Sequence, residues 1–184
     1  MRPVARGEIV DYATYGDVRA ALRAEAMAAK ALRRVHVGRE FTLLFENRLT
    51  VRYQVQEMMH VERLVREADI RHELDTYNEL LGGPGELGCT LLIEIDDPAE
   101  RAQKLSAWHG LPAHFYLRLE DGRRVHAGMD PRQQDEQRIS AVHYLKFAVG
   151  GVAPVAVGLD FPGLEADVPL DERQRAALRD DLTD

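Results

Sequence analysis

A glycine-rich run, GGPG at 82–85, separates two kinds of residue pattern in this chain. Before it, apolar residues recur every three or four positions over long stretches, which is the spacing of amphipathic helices. After it, most apolar runs are short and end at glycine, proline or aspartate, as strands do. Because glycine and proline stop helices, the run predicts a largely helical first part and a largely β second part.

The patterns also give approximate element boundaries. Helices are predicted at 17–34, 50–67 and 69–81, with a hairpin at 35–46 between the first two. The second part is predicted to contain a strand at 89–95, a helix at 98–109, a hairpin at 115–129, a further hairpin of strands 139–149 and 155–160 around Gly150 and Gly151, and a closing helix at 171–182 capped by Asp171 and Gln174.

These elements favour an α+β fold, in which helices pack on one face of a mainly antiparallel sheet of five or six strands. The length of 184 residues lies in the usual range of one domain, so residues 1–184 are predicted to form a single domain. The last helix is only weakly apolar. We therefore expect segment 161–184 to dock loosely or to fray.

Composition narrows the classes of function. The net charge is −7 and no block of lysines or arginines interrupts it, so nucleic acid and anionic membranes are poor partners. Cys89 is the only cysteine, which excludes an intrachain disulfide and a thiolate metal cluster. With neither a signal-like start nor an apolar stretch of ~20 residues, the sequence predicts a cytoplasmic protein.

Three ionisable side chains fall on otherwise apolar stripes. Helical wheels place Glu62 and Glu73 among the apolar positions of the second and third helices. His143 shares its strand parity with Leu145 and Phe147. Buried charges are costly unless they are paired, neutralised or bound to a metal. The placement of Glu62, Glu73 and His143 predicts a shared site between the central helices and the sheet.

Two carboxylates and an imidazole suit iron, manganese or zinc. Glu57 and Glu94 are the next candidate ligands. The residues expected to bind a ligand or to orient the site are Asn47, Arg48, Tyr77 and Asn78. In the alternative interpretation, Glu62 and Glu73 pair with arginines such as Arg48 or Arg63, His143 donates to a backbone carbonyl, and the polar core is structural only.

Three stretches carry a family resemblance: LLFENRLTVRYQVQEMMHVER at 43–63, HELDTYNELL at 72–81 and SAVHYLKF at 140–147. They resemble a bacterial family of proteins of unknown function over residues 11–160. Members of that family are commonly encoded beside a rubrerythrin-like di-iron protein and an iron–sulfur oxidoreductase. The resemblance therefore implies a setting of oxidative-stress or electron-transfer chemistry. The residues that carry it are Glu46, Asn47, Arg48, Gln54, Glu57, Glu62, Arg63, Glu73, Asn78 and His143.

Two functional hypotheses follow. The first is a metal- or ligand-binding protein with the Glu62, Glu73 and His143 site and a role in oxidative-stress or electron-transfer chemistry. The second is a non-catalytic accessory protein that docks onto a rubrerythrin-like or iron–sulfur partner. A homodimer is compatible with either hypothesis. The sequence names no reaction or substrate and leaves open whether the protein is an enzyme.

Overall fold

The first half of the chain folds largely as its patterns predict. A computed structural model describes residues 1–129 and 138–183. The elements of this half are α1 (Tyr12–Ala31), β1 (Arg34–Val37), β2 (Phe41–Glu46), α2 (Arg48–Glu62) and α3 (Glu67–Asn78). Helix α1 begins earlier than predicted because the Asp11 side chain accepts hydrogen bonds from the N–H groups of Ala13 and Thr14, which caps the helix.

The second half is mostly β, as predicted. Its elements are β3 (Leu87–Ile93), α4 (Pro98–Ala107), β4 (Phe115–Leu119), β5 (Arg124–His126), β6 (Gly128–Met129), β7 (Val142–Phe147), β8 (Pro154–Leu159), β9 (Ala166–Pro169) and α5 (Glu172–Thr183). Helix α4 begins at Pro98, and the Asp97 carboxylate accepts a hydrogen bond from the Glu100 N–H at 2.7 Å. Strand β9 had no counterpart in the sequence-based prediction.

The described strands form two antiparallel sheets. The first sheet has the order β1-β2-β3-β7-β6, and the second has the order β5-β4-β8-β9. The predicted α+β class and antiparallel pairing are confirmed, but the strands divide between two sheets. The predicted hairpin of β7 and β8 is wrong, because β7 pairs with β3 while β8 pairs with β4 and β9. Gly150 and Gly151, both with positive φ, turn the chain from one sheet to the other.

The main hydrophobic core lies between the two sheets. Leu43 and Leu91 are in register on neighbouring strands of the first sheet, and they belong to the same buried cluster as Leu117 and Val157 of the second sheet. All four are fully buried. Since burying one such side chain stabilises a fold by about 1.5–3 kcal/mol, this layer is the main source of hydrophobic stabilisation.

Helices α2 and α3 form a second hydrophobic core with the N-terminal segment, and the chain just after α3 reaches the other face of the first sheet. Gly88 of β3 marks the close contact, because a Cβ there would lie 1.8 Å from the carbonyl oxygen of Leu80, just after α3. Lys146 of β7 donates to the neighbouring Leu81 carbonyl. The predicted packing of helices against one face of the sheet is therefore confirmed where the end of α3 meets β3 and β7.

Residues 161–183 pack against the rest of the fold through β9 and α5. Strand β9 pairs with β8. The capping box of Asp171 and Gln174 starts α5 as predicted, with hydrogen bonds of 2.8 and 3.1 Å. Leu178 is fully buried, and Asp181 forms a buried ion pair with Arg33. Composition alone missed this packing because the contacts are with residues far away in the sequence.

Candidate functional site

The residues predicted to share a site lie on opposite faces of the first sheet. His143 is in register with Leu91 and faces the core between the sheets. The next residue along β7, Tyr144, points the other way, towards the helices and Tyr77. Glu62 and Glu73 lie on that helical side. Among the described residues, no three histidine, cysteine, aspartate or glutamate side chains are placed to hold a metal ion.

The inward direction predicted for Glu62 is wrong, because α2 is shorter than expected. The helix ends at Glu62, and Arg63 takes a left-handed conformation with φ 56° and ψ 42°. Glu62 is therefore an exposed residue of the last turn. Glu73 is only half-buried, beside Tyr77. Burial raises the pKa of Tyr77, and the charges of Glu73 and Glu62 raise it further.

His143 has the surroundings of a structural histidine. Its Nε2 donates to the carbonyl oxygen of Ser140 at 2.8 Å, as the alternative interpretation anticipated. Its Nδ1 is buried and has no hydrogen-bond partner among the described residues. Burial lowers the pKa of His143, which favours the neutral imidazole.

The lowered pKa of His143 leads to a prediction about pH. The unfolded chain takes up this proton at a higher pH than the folded one, so the stability associated with neutral His143 is present above about pH 6.5 and lost as the pH falls. We expect His143→Leu to flatten the decline in the free energy of unfolding between pH 7 and pH 5. Urea denaturation at several pH values measures this decline. His109→Leu, which replaces an exposed histidine, is the control. If the pH dependence of the free energy of unfolding were the same in His143→Leu as in the wild type, the lowered pKa of His143 would be contradicted.

Two of the predicted orienting residues, Asn78 and Arg48, attach the N-terminal segment to the helices. The Asn78 side chain bonds both the N–H and the carbonyl of Val4, at 2.8 and 3.0 Å. Arg48 pairs with Glu8 at 2.6 Å and donates to the backbone carbonyl of Pro3. Asn47 caps α2, since its Oδ1 accepts from the backbone N–H of Thr50.

Glu57 and Glu94, the other predicted ligands, also have partners within the fold. Glu57 accepts a hydrogen bond from the Tyr15 hydroxyl at 2.5 Å and two from the Arg19 guanidinium at 2.8 Å. The bond from Arg19 is the main reason that the pKa of Glu57 falls to about 2. Glu94 accepts from the Thr42 hydroxyl at 2.5 Å. In these contacts both carboxylates join parts of the fold to one another.

The most buried carboxylate of the first sheet, Glu46, was named only through the resemblance. It is 7% exposed and accepts hydrogen bonds from the hydroxyls of Thr50 and Thr90, at 2.6 and 2.9 Å. The alternation of β2 could have shown its position, because it has the parity of Thr42 and Leu44. These donors account for its burial without a ligand.

Apolar side chains are exposed where α2 turns into α3. We call residues 61–66 the α2–α3 tip. Val61 and Val65 are 68% and 74% exposed. Beside them lies a groove of about 320 Å³, lined by Arg6, Asp11, Tyr12, Ala13, Met59, Leu64, Val65 and Ile70. Contiguous exposed apolar surface with a polar rim is characteristic of interaction sites.

The backbone of the α2–α3 tip is strained. Within residues 1–129 and 138–183, Arg63 is the non-glycine residue with a positive φ. A left-handed conformation costs such a residue about 1–2 kcal/mol, which is why glycine is usual at this position after a helix. Strain of this kind is concentrated at functional sites. Here the strained residue, Arg63, lies between the two exposed valines in the sequence.

The fold defines an α+β protein with a two-sheet core and a helical layer on the first sheet. The chain belongs to the family described as "Protein of unknown function (DUF3501)", whose model matches residues 3–182. It is similar to the crystal structure of a novel protein of unknown function from Burkholderia pseudomallei K96243. The sequence identity is 30%, the match covers 98% of this chain and 100% of that one, and the TM-score is 0.90.

No curated protein matches the chain. None of the helices in the described part of the chain combines the length and apolar character needed to cross a membrane. The related structure has the same fold, and neither its description nor that of the family names an activity.

Proposed function

We propose that this protein is a non-catalytic accessory protein that docks through the α2–α3 tip onto an iron-containing redox partner of the rubrerythrin-like or iron–sulfur class. The exposure of Val61 and Val65 carries the proposal. The partner class is the one implied by the resemblance. The interior supports a binding role, because the carboxylates of Glu46 and Glu57 already have partners inside the fold.

The valines are exposed although the adjacent helices bury their own apolar stripes. Val55 and Met59, within the two turns of α2 that precede the tip, are buried in the second core. The exposure of Val61 and Val65 is therefore a local departure from a well-packed helical hairpin. A partner that covered these side chains would gain the free energy of burying them, which amounts to about 25 cal/mol per Å² of apolar surface.

The charges of the α2–α3 tip indicate what the partner surface offers. Arg63 and Arg66 are exposed on either side of Val65, within a chain of net charge −7. Arginine is enriched in protein interfaces, where its guanidinium forms bidentate pairs with carboxylates. We therefore expect the partner to present an apolar recess rimmed by carboxylates.

The test is direct binding of the purified chain to a rubrerythrin-like protein and to an iron–sulfur oxidoreductase from the same organism. The double variant Val61→Asp with Val65→Asp is expected to weaken binding at least about 30-fold, because charges would enter a dehydrated interface. Val18→Asp, at an exposed valine of α1, is the matched control and should keep wild-type affinity. Calorimetry gives both values. Absence of wild-type binding to both partners would contradict the proposal.

The same purified protein can be used to test two alternatives, metal binding and formation of a homodimer. Stoichiometric iron, manganese or zinc that disappears in Glu62→Gln would favour the metal-binding hypothesis and count against a structural polar core. A wild-type dimer that the Val61→Asp, Val65→Asp variant dissociates would assign the α2–α3 tip to a second copy of the chain. Sedimentation and metal analysis give these two results.

A further inference from the structure

A second surface has the features of a small-molecule site. A groove of about 440 Å³ runs between α4 and the chain that leads into β7. Its residues include Arg101, Ala102 and Leu105 from α4, together with Arg138, Ile139 and Ser140. It lies on the side of the first sheet away from the α2–α3 tip, because Ile139 and Leu105 belong to the core between the sheets.

The positive charge of this groove is unusual for the chain. Arg101 and Arg138 face it, although the whole molecule carries a net charge of −7. Neither guanidinium forms an ion pair with any residue in the described ranges. The Nη1 of Arg101 donates to the carbonyl of Ile95 at 2.9 Å, which holds the side chain in place and leaves its other N–H groups for a ligand.

Ser140 adds a neutral donor to the wall. Its Oγ accepts a hydrogen bond from the backbone N–H of Val142 at 3.2 Å, so the hydroxyl hydrogen remains able to donate. The carbonyl of Ser140 is held from behind by Nε2 of His143. His143 therefore supports the wall of the groove without contacting what lies in it.

The remaining wall is apolar. Leu105 and Ile139 are buried, and the Ile139 N–H bonds the Leu105 carbonyl at 3.1 Å, which joins the two sides at the base. Pockets for small molecules typically combine apolar walls with a few polar groups that fix orientation. Two guanidinium groups that form no ion pair with the described residues suit an anionic head together with the hydroxyl, and the walls suit a short hydrocarbon body.

We infer that the groove between α4 and residues 138–141 binds a small amphipathic anion, with Arg101, Arg138 and Ser140 around its head group. The inference is independent of the proposed docking function, because it concerns a different surface. A carboxylate and a phosphate ester share the required chemistry, and the experiment compares the two.

Octanoate is the probe, titrated against the isolated chain and followed by amide chemical shifts. We expect saturable binding with shifts at residues 101–105 and 138–141, and at least about tenfold weaker binding by Arg101→Gln. Arg173→Gln, which removes an exposed arginine of α5, should bind as the wild type does. Ala102→Trp, at an exposed helix position, should fill the groove and abolish binding while circular dichroism confirms folding.

Further ligands decide the chemistry. Tighter binding of octyl phosphate than of octanoate would support the site and identify a phosphate head. Equal binding of octylammonium would overturn the inference, since a cation should be repelled by two arginines. Unchanged octanoate binding by both Arg101→Gln and Ala102→Trp would also overturn it.

Discussion

Replacement of Asp181 with alanine is expected to lower the free energy of unfolding by about 3–5 kcal/mol. Arg33 and Asp181 are 8% and 5% exposed, and the guanidinium donates twice to the carboxylate, at 2.7 and 2.8 Å. The Asn47 amide donates to the same carboxylate at 3.2 Å. Removing the carboxylate leaves the Arg33 charge buried without its partner. Urea denaturation monitored by circular dichroism measures the loss.

The neighbouring residue provides a matched control for this ion pair. Asp180 is exposed on the same helix, so Asp180→Ala should change the free energy of unfolding by less than about 0.5 kcal/mol. A double variant, Arg33→Met with Asp181→Leu, should recover much of the lost stability, because no buried charge then remains unpaired. Equal losses for Asp181→Ala and Asp180→Ala would show that the pair contributes little.

Glu57→Gln is expected to lower the free energy of unfolding by about 2–3 kcal/mol at pH 7. The Glu57 side chain is 15% exposed, and it joins α2 to the Tyr15 hydroxyl and the Arg19 guanidinium of α1. Folding lowers the pKa of Glu57 from 4.5 to about 2, with the hydrogen bond from Arg19 as the largest cause. The glutamine amide keeps the shape of the side chain and loses the charge.

The same variant has a defined pH signature. Because the folded pKa of Glu57 is lowered, its contribution to stability is fully present above about pH 4.5 and is lost as the pH falls towards 2. The wild type and Glu57→Gln should therefore converge in stability on acidification. Glu25→Gln, which removes the 56%-exposed partner of Arg52, should cost less than about 1 kcal/mol at any pH. A constant difference across the pH range would contradict the assignment.

Local patterns predicted the elements well because their causes are local. The hairpin of β1 and β2 follows from alternation around Gly38, and the start of α5 follows from the three-residue spacing of Asp171 and Gln174. The pairing of β7 with β3 has no such local signal. Alternation indicates which side chains of a strand share a face, but it does not indicate which other strand pairs with that strand.

The burial of the candidate site residues was predicted in part. Strand parity predicted it correctly for His143, and a helical wheel predicted it wrongly for Glu62. His143 is buried as its strand parity predicted, since a period of two survives small errors in strand ends. Glu62 was assigned from a helical wheel that continued past Arg63, where the helix ends. The partners of Glu46 include Thr90, 44 positions away, which no local pattern could connect.

The separation of Arg33 from Asp181, 148 positions along the chain, bears on how the protein is made. During synthesis α1 and the first hairpin leave the ribosome long before α5 is translated. Through that interval Arg33 lacks its native ion-pair partner, and closing the core around it would bury an unpaired charge at a high cost in free energy. Docking of α5 and closure of the interior around Arg33 should therefore occur together, once α5 has emerged from the ribosome.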